Sequence, residues 1–193
     1  MSSKYAPIVL FAYKRADHLR QTVEHLRANE LASESELIIV SDGYRNDSDK
    51  EGVLAVREYI KTIDGFRKVR IIERKRNYGL GSNIISALTA VFKRYDRAII
   101  VEDDIITGKY FLRYMNASLD KYNGNENVAA ISGYIPNIDR AGVGDYFFLP
   151  WFECWGWATW SSRWKRYRKA PKEIICDAGL GIIHRLNIKL KIG

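Results

Sequence analysis

Three carboxylates in a row, Glu102, Asp103 and Asp104, follow the apolar run Ala98-Ile-Ile-Val101 and precede another apolar pair. Like charges packed where a buried strand emerges raise one another's energy unless a cation or a helix dipole compensates. Mg²⁺ or Mn²⁺ would compensate, since both prefer oxygen ligands and commonly combine one or two protein carboxylates with substrate phosphate oxygens. A solvated acidic turn, or the N-cap of a helix beginning near Lys109, accommodates the same residues without a metal. Asp42 ends a second apolar run, in Val40-Ser-Asp-Gly43. One carboxylate there could accept a base N–H or a ribose hydroxyl, although Ser-Asp-Gly also reads as a turn, with Asp47 or Asp49 capping the following helix. The segment Arg74-Lys-Arg-Asn-Tyr-Gly-Leu-Gly-Ser-Asn83 sets two glycines and three cations at a strand-to-helix junction, where free backbone N–H groups favour phosphate. Its spacing is neither that of a P-loop nor GxGxxG, and a glycine-rich turn is also ordinary punctuation between elements.

These residues need a scaffold that gathers strand ends. Strand-length apolar runs recur at Ile8–Ala12, Leu37–Val40, Val69–Ile72, Ala98–Val101 and Val128–Ile131. Runs without polar alternation suit strands covered on both faces, as in a parallel sheet between helices. Amphipathic stripes supply the helices: Leu19, Val23 and Leu26 behind Asp17 as N-cap, Ile84, Leu88 and Val91 behind Ser82, and Phe111, Met115 and Leu119. The order βαβαβαβα over roughly the first 120 residues predicts an α/β fold with a right-handed, doubly wound, mostly parallel sheet flanked by helices. Ligands of such sheets gather outside the carboxyl ends of the strands, where Arg15, Asp42 and the acidic triplet stand.

With 193 residues, 47% hydrophobic and 28% charged, the chain has ordinary globular usage and enough length for one well-buried core, which sets aside disordered, collagen-like and coiled-coil classes. The run Ala6–Tyr13 is far shorter than a membrane helix and reads as a strand. Two cysteines, Cys154 and Cys176, make no disulfide scaffold and fit a reducing cytoplasm. The net charge of +8 favours an anionic partner without choosing one. Much of it lies in Arg163, Lys165, Arg166, Arg168, Lys169 and Lys172, a solvated helix face first and a peripheral patch for the inner membrane surface second. Nucleic acid rests on charge alone and ranks last.

Taken in order, Val9-Leu-Phe-Ala-Tyr-Lys-Arg15, Val40-Ser-Asp-Gly43, Arg76-Asn-Tyr-Gly-Leu-Gly-Ser-Asn83, Val101-Glu-Asp-Asp104 and Trp155-Gly-Trp-Ala-Thr-Trp160 resemble family 2 glycosyltransferases of bacterial polysaccharide synthesis. They are also similar to N-acetylglucosaminyltransferase I, which shares the acidic triplet. The resemblance covers about residues 7 to 168. It implies a single GT-A domain over 1–193, with a nucleotide-sugar-binding part over 1–125 and a partial acceptor-side part over 126–193. It implies a metal-dependent, inverting hexosyl- or N-acetylhexosaminyltransferase that moves a sugar from a nucleotide-sugar, most often a UDP-sugar, to a saccharide or lipid-linked saccharide in cell-surface polysaccharide assembly.

Residue by residue, the resemblance puts Ala12, Tyr13 and Arg15 beside the base and Asp42 on the uracil ring. Asn77, Gly79 and Asn83 lie along the nucleotide. Glu102 and Asp103 face the ribose and donor sugar, and Asp104 ligates Mn²⁺ or Mg²⁺. Trp157, Trp160 and Trp164 lie three and four apart, an apolar stripe if helical, whereas Trp151 and Trp155 fall off that stripe and suit an aromatic acceptor platform. The base that deprotonates the acceptor should follow the tryptophans. Glu153, Glu173 and Asp177 are the candidates, with Asp177 the best spaced. The tail from Cys176 onward departs from the family pattern, which leaves a truncated or inactive nucleotide-sugar-binding module as an alternative. His184 in that tail reads as incidental, as do His18 and His25. A nucleotidyltransferase is a further alternative, disfavoured because no glycine-rich basic loop follows the first strand.

Overall fold

The computed structural model describes residues 4–135, 147–150 and 153–167. Four strand-helix units run in order: β1 (Ile8–Ala12), α1 (Ala16–Arg27), β2 (Glu36–Ser41), α2 (Asp47–Ile60), β3 (Lys68–Glu73), α3 (Leu80–Val91), β4 (Arg97–Glu102) and α4 (Phe111–Lys121). Short β5 (Ile131–Ser132) and β6 (Trp157–Trp160) follow, then one turn of helix, α5 (Ser161–Trp164). The sheet order is β3-β2-β1-β4-β6-β5. Its first four strands are mutually parallel, and β6 runs antiparallel to both β4 and β5. The doubly wound expectation therefore holds for the first four units, with an antiparallel pair added on the β4 side.

Side chains alternate across the sheet and build one core on each face. Ile8, Leu10, Ile99 and Val101 pack with Leu19, Val23 and Leu26 of α1, Val56 and Ile60 of α2, and Leu112, Met115 and Leu119 of α4. Val9, Phe11, Ile100 and Val40 pack on the other face against Ala87, Leu88 and Val91 of α3. β1, β2 and the centre of β4 are buried throughout, as uninterrupted apolar runs require. β3 differs: it is an edge strand, and Ile71 and Ile72 are exposed.

Several local expectations shift. The residue capping α1 is Arg15, with Asp17 inside the first turn, and α3 is entered through Gly79, upstream of Ser82. At α2 the cap is Asn46, whose Oδ1 accepts the Asp49 N–H at 3.1 Å. The run Val128–Ile131 contributes only its last residue to a strand. The tryptophan stripe is not helical either. Trp157 and Trp160 open and close β6, and three residues along a strand places them on opposite faces, Trp157 in the α3-side core and Trp160 in the other. Trp160 also donates its ring N–H to the Leu119 carbonyl. Part of the basic run beyond β6 serves the fold: the Arg163 guanidinium donates to the carbonyls of Tyr122, Asn123 and Asn125, and Arg166 pairs with Glu126.

Candidate active site

The acidic triplet lies where β4 leaves the sheet. Glu102 pairs in register with Phe11, so Asp103 and Asp104 stand beside the residues that follow β1. Asp103 is buried; its Oδ2 accepts the Tyr13 N–H at 3.2 Å and its Oδ1 accepts from Arg15 Nη2 at 2.6 Å. The same nitrogen donates to Asp104 Oδ2 at 2.8 Å. The Asp104 side chain is 41% exposed against 7% for Asp103, so one carboxylate is locked into the fold and the other faces solvent. Burial, then the charges of Asp104 and Asp103, raise the Glu102 carboxyl above its ordinary value.

One guanidinium thus faces three carboxylates and leaves net negative charge. Among the described residues no group of three or more histidine, cysteine or carboxylate side chains is arranged to enclose a metal. The donor set fits an open site for a hard cation: Asp104 presents an exposed carboxylate, Glu102 lies close enough to couple with it, and the remaining ligands would be oxygens of a bound molecule or water.

A second cluster forms at the ends of β2 and β3. Asp42 is 5% exposed, and both of its oxygens are engaged. Oδ1 accepts the N–H groups of Gly43 and Tyr78 at 2.9 Å each, and Oδ2 accepts the Gly79 N–H at 3.0 Å and Asn77 Nδ2 at 3.2 Å. Asn77 Nδ2 also donates to the Gly43 carbonyl at 2.8 Å. Asn83, expected along the nucleotide, is buried and accepts from Arg74 Nε at 3.0 Å. Tyr13 donates its hydroxyl to Asp49 Oδ2 at 2.7 Å and accepts the Arg45 N–H, while Ala12 is a buried strand residue.

Beyond the triplet the chain is anchored by α1 and the turn that follows it. Asn29, buried, donates to Thr107 Oγ1 at 3.0 Å and accepts the Leu112 N–H at 3.0 Å, and His25 Nδ1 lies 3.3 Å from the Thr107 carbonyl. Against this anchored stretch opens a cleft of about 270 Å³, with Asp104, Phe111, Tyr134 and Trp155 among its lining residues. The Tyr134 and Trp155 rings meet edge to face at 4.5 Å. Two glycines bring them together: Gly133 donates its N–H to the Gly156 carbonyl at 2.7 Å, and a Cβ at Gly133 would lie 2.6 Å from the Phe111 ring. Partial burial, and next the negative charge of Glu102, raise the Cys154 thiol above its ordinary value.

The structure thus gathers Tyr13, Arg15, Glu102, Asp103 and Asp104 in one group, joins Trp155 to it through the cleft, and sets Asp42, Asn77 and Gly79 in another. Tyr134 was not among the expected residues; its only signal is the Gly133-Tyr134 dipeptide, the reverse of Trp155-Gly156. Trp151, Glu173, Asp177 and His184 lie outside the described residues.

A comparison with protein families matches residues 8–172 to glycosyl transferase family 2. The chain belongs to that family. A search of curated proteins gives no match. Among solved structures, the mannosyltransferase PcManGT from Pyrobaculum calidifontis, in complex with GDP-Man and Mn²⁺, superposes with a TM-score of 0.56 at 16% identity, over 92% of this chain and 48% of that one. S. aureus TarS matches at a TM-score of 0.46 and 15% identity, over 62% of this chain and 20% of that one. This family 2 glycosyltransferase therefore has the GT-A fold, and it spans about half the length of the mannosyltransferase it superposes on. Among the described residues no helix is long and apolar enough to cross a membrane.

Proposed function

We propose that this family 2 glycosyltransferase takes its sugar from a nucleoside-diphospho-sugar, a UDP-sugar first, with the help of Mn²⁺ or Mg²⁺, and passes it to a saccharide or lipid-linked saccharide of cell-surface polysaccharide. The observation that carries this reading is the exposed Asp104 carboxylate, set between the Arg15-clamped Asp103 and the Tyr134–Trp155 cleft. A bound divalent cation would supply charge neutralisation for the diphosphate that departs. Asp104 would hold it, with Glu102, whose carboxyl feels the Asp104 charge, as a further carboxylate. Asp103, fixed by Tyr13 and Arg15, would orient hydroxyls of the donor.

The cleft supports an acceptor ring rather than a larger body. Its volume of about 270 Å³ lies just under the range of roughly 300–1,000 Å³ common for small-molecule pockets. Aromatic walls suit the C–H faces of a sugar, and the Asp104 carboxylate in the lining suits its hydroxyls. Arg15 offsets only part of the triplet's charge, so an anionic donor would still meet net negative charge without an ion. The acceptor base, for which Asp177 is our candidate, completes the proposal as an inverting transfer.

The test is calorimetry with UDP, GDP, CDP and dTDP, each with and without Mn²⁺. Metal-dependent binding with UDP in the lead is expected; equal affinity in EDTA would remove the metal from the proposal, and a lead by GDP would reassign the donor. The mannosyltransferase solved with GDP-Man makes GDP the informative rival.

A further inference from the structure

We infer that Asn29, in the turn after α1, is a positioning residue for the cleft: its side-chain amide fixes the far end of the segment that leaves the sheet at Asp104. Residues 103–110, which join β4 to α4, form neither strand nor helix. Ile105, Ile106, Thr107 and Gly108 of this segment line the cleft together with Asp104 and Phe111. The segment's own backbone bonds sit at its two ends, from the Ile105 N–H to the Glu102 carbonyl and from the Phe111 N–H to the Gly108 carbonyl. Its middle is held from the α1 side. Asn29 and Thr107 are both buried; Asn29 Nδ2 donates to Thr107 Oγ1 at 3.0 Å and to the His25 carbonyl at 2.8 Å, while Oδ1 accepts the Leu112 N–H at 3.0 Å. Beside it the Glu30 N–H donates to the Lys109 carbonyl at 3.1 Å.

The place calls for an amide. Two donors and one acceptor in a single planar group are what asparagine supplies, and a flipped amide would set oxygen against oxygen at His25 and hydrogen against hydrogen at Leu112. The Leu112 bond also does what α4 lacks locally: Tyr110 at its N-cap makes no side-chain cap bond, and the first N–H groups of a helix have no partner within it. Asn29 thereby sets where α4 begins, and with it the position of Phe111. The Phe111 ring lies against two glycines, since a Cβ at Gly133 would stand 2.6 Å from it and one at Gly156 3.0 Å. Phe111 can move toward them only by displacing Gly133 and Gly156, the chain neighbours of Tyr134 and Trp155. The triplet end is fixed separately, by Tyr13 and Arg15 on Asp103, so Asn29 governs the shape of the cleft without holding the triplet.

That a saccharide occupies the cleft rests on the acceptor reading proposed for it; the clamp itself is tested in the free chain. Amide exchange is followed at Leu112, Glu30 and Tyr13. Asn29→Ala should speed exchange at Leu112 by about tenfold or more, speed it at Glu30, and leave Tyr13, whose N–H is held by Asp103, at the parental rate. Unchanged rates at Leu112 and Glu30 would overturn the inference, and so would equal acceleration at all three amides, the mark of a general loss of stability. Asn29→Asp keeps an oxygen for Leu112 and an acceptor for the Thr107 hydroxyl, and should bring the Leu112 rate back toward that of the parent; a rate as fast as in Asn29→Ala counts against the clamp. In the ligand arm, glucose and N-acetylglucosamine are titrated as probes with UDP and Mn²⁺ present. Asn29→Ala should weaken both sugars by about threefold or more and leave UDP affinity as it was; UDP weakened with the sugars unaffected would refute the inference. Should Asn29→Ala fail to fold, Thr107→Ala removes one partner and is expected to speed exchange at Glu30 in a folded protein, and an unchanged rate there tells against the clamp. If neither sugar binds the parent, the acceptor reading fails while the exchange arm still decides the role of Asn29.

Discussion

Arg15 and Asp104 meet at 2.8 Å, through the same guanidinium nitrogen that holds Asp103 at 2.6 Å. A guanidinium in this place does electrostatically part of what the proposed divalent cation would do, so the two would compete for Asp104. Arg15→Ala should therefore bind Mn²⁺ alone about fivefold more tightly, the equivalent of ~1 kcal/mol for unit charges near 4 Å in a water-like dielectric. Because Arg15 is 46% exposed, stability should fall by only about 1 kcal/mol. Mn²⁺ titration by electron paramagnetic resonance beside urea unfolding measures both, and unchanged Mn²⁺ affinity would separate the arginine from the metal.

Asp104→Ala should abolish the metal-dependent part of UDP binding, a loss of about tenfold or more, while the circular dichroism spectrum and unfolding midpoint stay those of the parent. Its side chain is 41% exposed and makes no core contact that would be missed. A variant that unfolds instead would make the triplet structural.

Asp49 predicts the acid response. The Lys14 ammonium, and after it the Tyr13 hydroxyl, hold the Asp49 carboxyl below its ordinary 3.8. A carboxyl depressed on folding stabilises fully above its unfolded value and loses that contribution as pH falls through the folded one. The parent should thus lose more stability than Asp49→Asn between about pH 5 and pH 2. Parallel urea curves for the two proteins over that window would remove the pair as a source of stability.

For the cleft, Trp155→Ala and Tyr134→Ala should each raise the KM for a saccharide acceptor by roughly three- to tenfold, the worth of about 0.5–1.5 kcal/mol for an aromatic contact, with donor affinity unchanged. If donor affinity falls instead, the rings line the donor's side of the triplet.

Much of the scaffold was readable from residue types. The Ile- and Val-rich runs of β1, β2 and β4 were legible because a strand buried on both faces has no polar face to interrupt the run, whereas β3, an edge strand, carries Arg70 within its run and leaves Ile71 and Ile72 exposed. The carboxyl-end rule then placed the triplet beside Arg15. β6 was misread because Trp157, Trp160 and Trp164 carry helical spacing while straddling a strand and a turn of helix. A strand reaches both cores with residues three apart, and spacing alone does not tell that case from one helical stripe. Asp42 shows a different limit. Its four partners come from Gly43 and the Asn77–Gly79 turn, a meeting created by the pairing of β2 with β3, which no local pattern announces. Tyr134 was missed for a related reason, since a strand of two residues leaves almost no periodicity to read.

The opposed faces of β6 also give the protein built-in optical probes. Trp157 and Trp160, 7% and 2% exposed, sit in separate cores, whereas Trp155, 54% exposed, stands in the cleft. Buried indoles emit to the blue of solvated ones. Single replacements of Trp157 and Trp160 by phenylalanine would therefore let emission report whether the two layers melt together or one after the other. Quenching by iodide, which reaches the exposed indole first, would follow occupancy at Trp155 without any attached dye.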